Sequence, residues 1–597
     1  MLFLKHWNYS NQDLVLLYLR SLCTTNRSLT LNESAKVIIN SKSTSEKVIV
    51  ISGGGSGHEP THAGLVGDGL LDVAVAGNIF ASPSAKQILT GIKSIKSEKG
   101  YLLIVKNYTG DILHFGLAAE RAKALGIKVV LVIVADDVAV GRTKNGLVGR
   151  RGLAGTVLVH KISGAKASMG ASLIEVAKIS QDVADNMVTI GASLEHCSVP
   201  GRDEDEMEIL KPNEIEIGMG IHNEPGVKKY SSIPNIDDLI QELLEYLLSQ
   251  SDKERSYVPF VSDEQVVLLV NNLGGTSVLE LNVIGSIVIQ QLAENYSIFP
   301  VRVYIGAFTT ALNCQGFSIT LLNASRAGGD EIIELLDSPT NATGWVSSVS
   351  SIGENFKRDS AKDKFENDTE EVSPITSSVT LDAGVFELVL RGGLEKLLSK
   401  ELQITLYDTV AGDGDCGETL AAGGHAILEA LDDNSIDLSD MVSALNCIAM
   451  IVEEHMGGTS GGIYSIFISA LAQSYMNMNR KEGPFEVSRR NLAKSLEEAL
   501  LSLFIYTQAR TGDRTLVDAL EPFITEIGKT HDLKKAKKAA IDGAESTRKL
   551  TAKFGRASYV SENEFKKFES EGGLPDPGAI GLAALIDGLI TSFEEYH

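Results

Sequence analysis

Apolar and polar positions change their rhythm once along the chain, near its middle. In the first half, short apolar runs stop at turn-forming residues. KVIVISGGG (47–55), YLLIVKNYTGD (101–111), IKVVLVIVADD (127–137) and QVVLLVNNLGGTS (265–277) are such runs. Each reads as a buried strand entering a Gly, Asn or Asp turn. Stretches with helical spacing, such as HFGLAAERAKALG (114–126), lie between them. That alternation predicts α/β architecture with mostly parallel strands. Ligands of such sheets sit in loops at the carboxyl ends of the strands. A polar break at HCSVPGRDEDEMEILKPNE (196–214) predicts two lobes divided near residue 200.

The second half reads differently. AGVFELVLRGGLEKLLSKELQ (383–403), MVSALNCIAMIVEEHM (441–456), FEVSRRNLAKSLEEALLSLFIYTQA (485–509), DLKKAKKAAIDGAESTRKL (532–550) and AIGLAALIDGLITSFEEY (579–596) are amphipathic at helical period. Few β-rich runs remain, so an α-helical domain is expected there. Between the halves, residues 347–378 are charged, Ser-rich and poor in large apolar side chains, the composition of a flexible linker. The expected organisation is a two-lobed α/β domain (1–346), a linker (347–378) and an all-α domain (379–597).

Composition narrows the function. The chain has 597 residues, enough for several domains. Its 54 Lys+Arg against 78 Asp+Glu give a net charge of −24. Nucleic-acid binding needs a basic face to release counterions, so that class is excluded. Small phosphates held by backbone N–H groups and metal ions remain allowed. Cys23, Cys197, Cys314, Cys416 and Cys447 form no C-x-x-C pair, and their number is odd. A disulfide framework and a structural zinc site are disfavoured, and a reducing, cytoplasmic compartment fits. The start, MLFLKHWNYSNQDLVLLYLRS, is interrupted by polar residues and reads as a helix rather than a signal peptide. No uninterrupted apolar run is long enough to span a bilayer.

Seven segments carry candidate chemistry. SGGGSGHEP (52–60) follows the first strong strand, and its glycines expose N–H groups to an anion or an oxygen-rich ligand. It fails both the G-x-G-x-x-G and the P-loop patterns, and a simple tight turn is the alternative. VKNYTGD (105–111) offers Lys106 and Asp111 from one strand end. GMGIHNEPG (218–226) sets His222 among glycines, as a general base, metal ligand, nucleophile or plain loop histidine. YDTVAGDGDCGETL (407–420) crowds Asp408, Asp413 and Asp415 into a glycine-rich loop. Carboxylates so close repel unless a cation joins them, and oxygen-only donors select Mg²⁺ or Ca²⁺. The EF-hand spacing is absent, which favours Mg²⁺ carrying a nucleotide. HMGGTSGG (455–462) matches G-x-S-x-G, but its helical flanks exclude a nucleophile elbow. A Gly/Thr/Ser loop opening a helix suits phosphate instead. TGDRTLVDAL (511–520) adds Arg514 as a phosphate cation together with Asp518. DPGA (576–579) is either a helix cap or a nucleotide closure.

In this order the segments resemble the fused ATP-dependent dihydroxyacetone kinases, also called glycerone or triose kinases. SGGGSGHEPTHAG, AGNIFASPSA, LIVKNYTGD, GIHNEPG, NNLGGTS and LLDSPTNATGW carry the resemblance in the first half, and DGDCGETL, GGTSGGIYSIF, TGDRTLVDAL, GRASYV and DPGA in the second. The resemblance implies a ketose-binding domain followed by an all-helical barrel for the nucleotide. It implies ATP-dependent phosphorylation of dihydroxyacetone, and of D-glyceraldehyde, with the substrate held as a hemiaminal on His222. It implies a substrate loop of Gly55, Ser56, Gly57 and His58, with Lys106 and Asp111 holding hydroxyls. Asp111 is the implied base, assisted by His58. Asp408, Asp413 and Asp415 would bind Mg²⁺ with ATP as co-substrate. Gly414, Asp415, Cys416, Gly417, Thr459, Ser460, Arg514, Thr515 and the turn Asp576, Pro577, Gly578 would hold the nucleotide. A homodimer through the first domain is also implied. Two other activities fit the same motifs: an FAD-AMP lyase forming cyclic FMN, and a non-catalytic triose-sensing regulator.

Overall fold

The computed structural model describes residues 6, 7, 9, 13–143, 149–201, 209–346, 375–553 and 572–596. The chain separates into two compact units, Met1–Lys364 and Phe365–His597. Most of the expected linker (347–374) and the segment GRASYV lie outside the described residues.

The first unit is built on two six-stranded sheets. In the first sheet, Ile49–Ser56 lies between Val73–Ile79 and Tyr101–Lys106 and is parallel to both. Val129–Val134 extends the parallel set, and an antiparallel pair, Leu29–Asn32 and Val37–Asn40, completes the other edge. The apolar runs are continuous because both faces are covered. Ile49, Ile51, Leu103 and Val105 pack with Ile88, Ile92 and Phe115 of helices Ala85–Ser94 and Thr109–Ala124. Val48, Val50, Leu102 and Ile104 face the other way, onto Val157, Leu158 and Ile162 of helix Thr156–Ser168. That helix is buried almost all round, because the same core contains Val267, Leu269 and Leu322 of the second sheet.

The second sheet corrects the expectation of mostly parallel strands. Only Val266–Asn272 and Arg302–Gly306 run parallel. Gly316–Asn323 lies antiparallel to both Val266–Asn272 and Met187–Ser193, and Ile215–Ile217 and Lys228–Tyr230 continue antiparallel to the edge. The loop 307–315 reverses the chain at one end of the sheet with no helix to carry it back, and such a connection can only return antiparallel. Met187–Ser193 already belongs to this sheet, ahead of the polar segment at 196–214.

The second unit is a ring of helices packed in chain order, with the short helix Glu401–Ala411 set against Cys416–Asp432 and Pro577–Tyr596. Ala383–Leu398, Cys416–Asp432, Met441–His455, Gly458–Glu482, Arg489–Tyr506, Val517–Thr530 and Leu533–Ser546 follow in order. Pro577–Tyr596 closes the ring against both Leu533–Ser546 and Ala383–Leu398. Closure is tight because glycines line it. A Cβ on Gly392 would meet Ser592 Oγ at 1.8 Å, and one on Gly588 the Gly392 carbonyl oxygen at 2.3 Å. A two-residue parallel pairing of Val379–Thr380 with Phe485–Glu486 is the β structure among the described residues of this unit. The last expected linker residues belong to this unit, since the Ser377 hydroxyl donates to Asp440 at 2.6 Å. Pro577–Tyr596 is long and apolar enough to cross a membrane by length and composition, although Asp587 interrupts its apolar run. Its apolar side chains, Ala579, Leu582, Ala583, Ile586 and Ile590, instead join the helical core.

Gly164 tests the close contact between helix Thr156–Ser168 and the turn before Val73–Ile79. A Cβ there would lie 2.0 Å from the Leu70 carbonyl oxygen. Gly164→Ala is expected to destabilise the first unit by about 1–3 kcal/mol, read as a lower urea midpoint. An unchanged midpoint would show that this contact relaxes freely.

Candidate functional site

The first site forms where loops of the two sheets meet. Strand Ile49–Ser56 ends in Gly57 and His58, and the loop 307–315 of the second sheet locks them. The Thr310 N–H donates to the His58 carbonyl at 3.2 Å, and the Leu312 N–H to that of Gly57 at 2.8 Å. The Ser56 hydroxyl donates to the Gly77 carbonyl at 2.9 Å, and the Gly57 N–H to Glu59 Oε2 at 2.9 Å. Gly57 has φ +100°, and a Cβ on it would meet the Phe80 ring at 2.8 Å. Gly55 is equally constrained, 2.8 Å from the Ala81 nitrogen by the same measure. These glycines therefore let backbone, His58 and Phe80 pack in one place.

Strand Tyr101–Lys106 ends beside this loop and delivers Lys106, Tyr108 and, in the first turn of the next helix, Asp111. His222 arrives from another direction, in the loop between the edge strands Ile215–Ile217 and Lys228–Tyr230. Its ring meets those of His58, Phe80 and Tyr108 edge-on, with centroids 4.8, 5.0 and 4.8 Å apart. His58 is stacked on Phe80 at 5.2 Å. Arg151 braces the His222 loop, donating to the Gly218 carbonyl at 2.6 Å while paired with Asp137 at 2.6 Å.

Hydrogen-bond partners assign the protons. His222 Nδ1 lies 2.8 Å from Glu224 Oε1, an acceptor, so Nδ1 carries the hydrogen. Glu224 Oε2 accepts the His222 N–H at 2.9 Å. His58 Nδ1 donates to the Thr310 carbonyl at 2.8 Å. Both Nε2 atoms then present lone pairs, and they face each other at 3.0 Å. A hydrogen bond between them requires one added proton, so the pair is a two-base cradle for a single proton. Burial, Lys106 and His222 push the His58 imidazole well below its ordinary range.

Lys106 and Asp111 are buried, and neither Lys106 Nζ nor Asp111 Oδ1 has a hydrogen-bond partner among the described residues. Burial pushes the Lys106 ammonium down to about 8, against the pull of Asp111, Asp136 and Glu59. Burial raises the Asp111 carboxyl, opposed by the Ser82 hydroxyl and Lys106. Unsatisfied buried polar atoms are costly, so a donor and an acceptor left open at one strand end mark a place for a hydroxylated ligand.

The structure thus brings together Gly55, Ser56, Gly57, His58, Lys106, Asp111 and His222. Reading the sequence missed Phe80, Tyr108, Glu224 and Thr310. Phe80 and Tyr108 lie inside quoted motifs, and Glu224 follows His222 by two positions. Thr310 lies in a loop with no sequence signal.

The second site is in the helical unit. One oxygen from each of Asp408, Asp413 and Asp415 lies within 4.8 Å of the others. Asp408 ends helix Glu401–Ala411 and organises the loop after it. Its Oδ2 accepts the N–H groups of Gly414, Asp415 and Cys416 at 3.0, 3.0 and 3.1 Å. Those N–H groups are therefore turned toward Asp408 rather than outward. Gly412 is needed there, since a Cβ would lie 2.3 Å from Asp408 Oδ1. Gly417 lets helix Cys416–Asp432 touch Glu401–Ala411, where a Cβ would meet Thr405 Oγ1 at 2.1 Å. Three hard oxygen donors, two of them exposed, fit Mg²⁺.

Thr459 and Ser460 occupy the first turn of helix Gly458–Glu482, as expected for a loop opening a helix. Ser460 hydrogen-bonds Cys416, so the starts of two helices adjoin; burial and Asp408 push the Cys416 thiol up to about 12. Asp576 accepts the Ala579 N–H at 2.8 Å and caps the final helix, with Pro577 at its first position. Gly578 lies in the same turn. Burial raises Asp576 to about 6, and Asp518 and Asp408 act in the same direction. Arg514 is buried, and its Nη2 donates to the Leu574 carbonyl at 3.0 Å, which ties the 511–520 loop to the segment before the final helix. The Thr515 N–H donates to Asp518 Oδ2 at 2.8 Å, and Asp518 Oδ1 accepts the Gly512 N–H at 2.6 Å.

Comparison with known proteins agrees with this division. The Dak1 domain family matches residues 20–344 and the DAK2 domain family residues 410–591. A dihydroxyacetone kinase of Pichia angusta is 58% identical over 606 residues, covering 99% of each chain. A triokinase/FMN cyclase of Homo sapiens is 36% identical, covering 96% of each. The solved dihydroxyacetone kinase from C. freundii in complex with AMP-PNP and Mg²⁺ covers 98% of this chain and 100% of its own, with TM-score 0.64 and 30% identity. A Dak1 and a DAK2 domain fused in one chain, with identity of this level along its whole length, place the protein in the dihydroxyacetone kinase family.

Proposed function

We propose that the protein transfers the γ-phosphoryl group of ATP to dihydroxyacetone, with residues 1–346 binding the ketose and residues 379–597 the nucleotide. One observation carries the reading: His222 Nε2 bears a lone pair among His58, Phe80 and Tyr108 while Glu224 holds the proton at Nδ1. A nitrogen so placed adds to a ketone. The bond from Nε2 to the carbonyl carbon forms, and the carbonyl π pair moves to oxygen. A proton taken up from water passes through His58 Nε2 to that oxygen, and Glu224 balances the positive charge left on His222. Lys106 and Asp111 hold the hydroxyls. Asp111 takes the proton of the hydroxyl that attacks the γ-phosphorus, and ADP leaves. Asp408, Asp413 and Asp415 hold Mg²⁺, which neutralises phosphate charge when bound. Thr459 and Ser460 offer hydroxyls at a helix start, and the Asp576–Gly578 turn borders the same site. D-Glyceraldehyde can react in the same way.

Covalent capture solves a selectivity problem. Glycerol and dihydroxyacetone present similar hydroxyls, and a pocket separates near-isosteres poorly by binding alone. Only a carbonyl can add His222. A homodimer through the first unit is part of this reading, and the exposed Val278, Leu279 and Val283 of helix Val278–Tyr296 offer it an apolar face. A cytoplasmic location accords with five free cysteines. The relative named triokinase/FMN cyclase favours a second activity in the helical unit, splitting FAD to AMP and cyclic FMN.

ADP release from Mg-ATP is expected with dihydroxyacetone and not with glycerol. Release with neither, alongside cyclic FMN from FAD and Mn²⁺, would replace the kinase by the lyase. His222→Ala is expected to lower kcat/KM for dihydroxyacetone at least about a hundredfold. An unchanged preference for the ketone would remove the hemiaminal.

Asp413→Ala is expected to abolish Mg-ATP turnover while ketose binding, followed by calorimetry, persists. Normal turnover would remove the metal assignment.

Lys106 is cationic below about 8 and loses its proton above it. KM for dihydroxyacetone is therefore expected to rise as pH passes through that value, and Lys106→Met should erase the limb. A limb that survives in the variant belongs to another group.

A further inference from the structure

Behind the ketose pocket lies a buried group that the proposed reaction does not use: Ser52, His62 and His160. Ser52 has one hydroxyl proton, and it donates this to the Ile104 carbonyl at 2.7 Å. Its oxygen is then left only as an acceptor. His62 Nδ1 lies 3.0 Å from that oxygen and His160 Nε2 3.1 Å, so both nitrogens carry hydrogen. This fixes both tautomers. His160 Nδ1 becomes a buried lone pair without a partner among the described residues. His62 Nε2 becomes a lone pair directed toward Gly54.

Gly54 shows what that lone pair meets. A Cβ built on it would lie 3.3 Å from His62 Nε2 and 3.5 Å from Asp111 Oδ2. The imidazole nitrogen and the carboxylate oxygen therefore border one small space that the glycine keeps open. We propose that His62 is a positioning residue of the ketose site: it makes no direct contact with the ionised Asp111, and its fixed Nε2 lone pair accepts a hydrogen bond from the Asp111 carboxyl, drawn across the space at Gly54, once Asp111 has taken the substrate's hydroxyl proton. The inference rests on the reading of Asp111 as base.

The physics is a difference between two states. A bare carboxylate and a lone pair repel, whereas a carboxylic acid and a lone pair form a hydrogen bond. His62 therefore favours protonated Asp111 and makes it a stronger base. This works only while His62 stays neutral. The groups facing it ensure that: burial first, then Lys106 from strand Tyr101–Lys106, His160 from helix Thr156–Ser168 and His58 all oppose a charge on its ring. Asp111, from helix Thr109–Ala124, is the acid that faces it, and Glu59 lies close enough to act on Lys106.

The test compares the wild type with His62→Asn, which keeps an N–H for Ser52 but has no atom at the Nε2 position. Steady-state kcat and KM for dihydroxyacetone are measured across pH, and the adduct is followed by NMR of carbonyl-labelled dihydroxyacetone. The expected result is a fall in kcat on the order of tenfold to a hundredfold. The acid limb of kcat should move to lower pH, because Asp111 becomes a weaker base, while KM and the adduct signal hold. An unshifted limb with unchanged kcat would overturn the proposal. So would loss of the adduct in parallel with kcat, which would mean that His62 merely builds the pocket. Ser52→Ala releases the tautomer without touching His62, and carries the test if His62→Asn does not fold. It should shift the limb the same way by a smaller amount, and an unmoved limb there overturns the proposal. A wild type that shows neither adduct nor ADP release with dihydroxyacetone would instead defeat the ketose reading itself.

Discussion

The hydrogen bond from His58 Nδ1 to the Thr310 carbonyl, 2.8 Å long, joins the two sheets at the point where the chemistry is placed. His58 ends a strand of the first sheet, and Thr310 lies in a reversing loop of the second. The same loop takes the Gly57 carbonyl, so the glycine-rich turn cannot move independently of the second sheet. The bond also fixes which His58 nitrogen is free. Nε2 is left to face His222, whose own tautomer is set by Glu224. Two imidazoles from distant parts of the chain thus face each other through unprotonated Nε2 atoms, because each has its other nitrogen occupied.

Burial supplies the rest of the electrostatics. Lys106 and Asp111 lie at the carboxyl end of a strand covered on both faces, so both lose hydration and neither gains a full set of partners. The ammonium is pushed down and the carboxyl up, toward the range where each can exchange a proton. The continuous apolar runs that build the sheet are therefore also what tunes the site. In the helical unit a single carboxylate does the organising. Asp408 gathers three N–H groups of the loop that follows it, and one oxygen from each of Asp408, Asp413 and Asp415 lies within 4.8 Å of the others.

Much of this was legible in the residues. The four apolar runs are strands, the helical period of the second half is a ring of helices, and the clustered Asp residues do converge. Each signal is local, because alternation, period and spacing act over a few residues. The antiparallel order of the second sheet was not legible, since strand direction depends on how a connecting loop travels. The apolar helix Pro577–Tyr596 was equally ambiguous. The same composition suits a bilayer or a ring closure, and only its neighbours decide.

The sequence by itself determined the residue types and their neighbourhoods: a histidine leaving a glycine turn, a lysine and an aspartate at one strand end, three carboxylates in one loop. Tertiary structure alone decided which nitrogens are bases. Proton positions on His58, His222, His62 and His160 are set by acceptors on Thr310, Glu224 and Ser52. Only the Glu224 partner is near in sequence to the histidine it fixes. The physical reason is that a tautomer is chosen by the group across a hydrogen bond, and folding, not spacing, chooses that group.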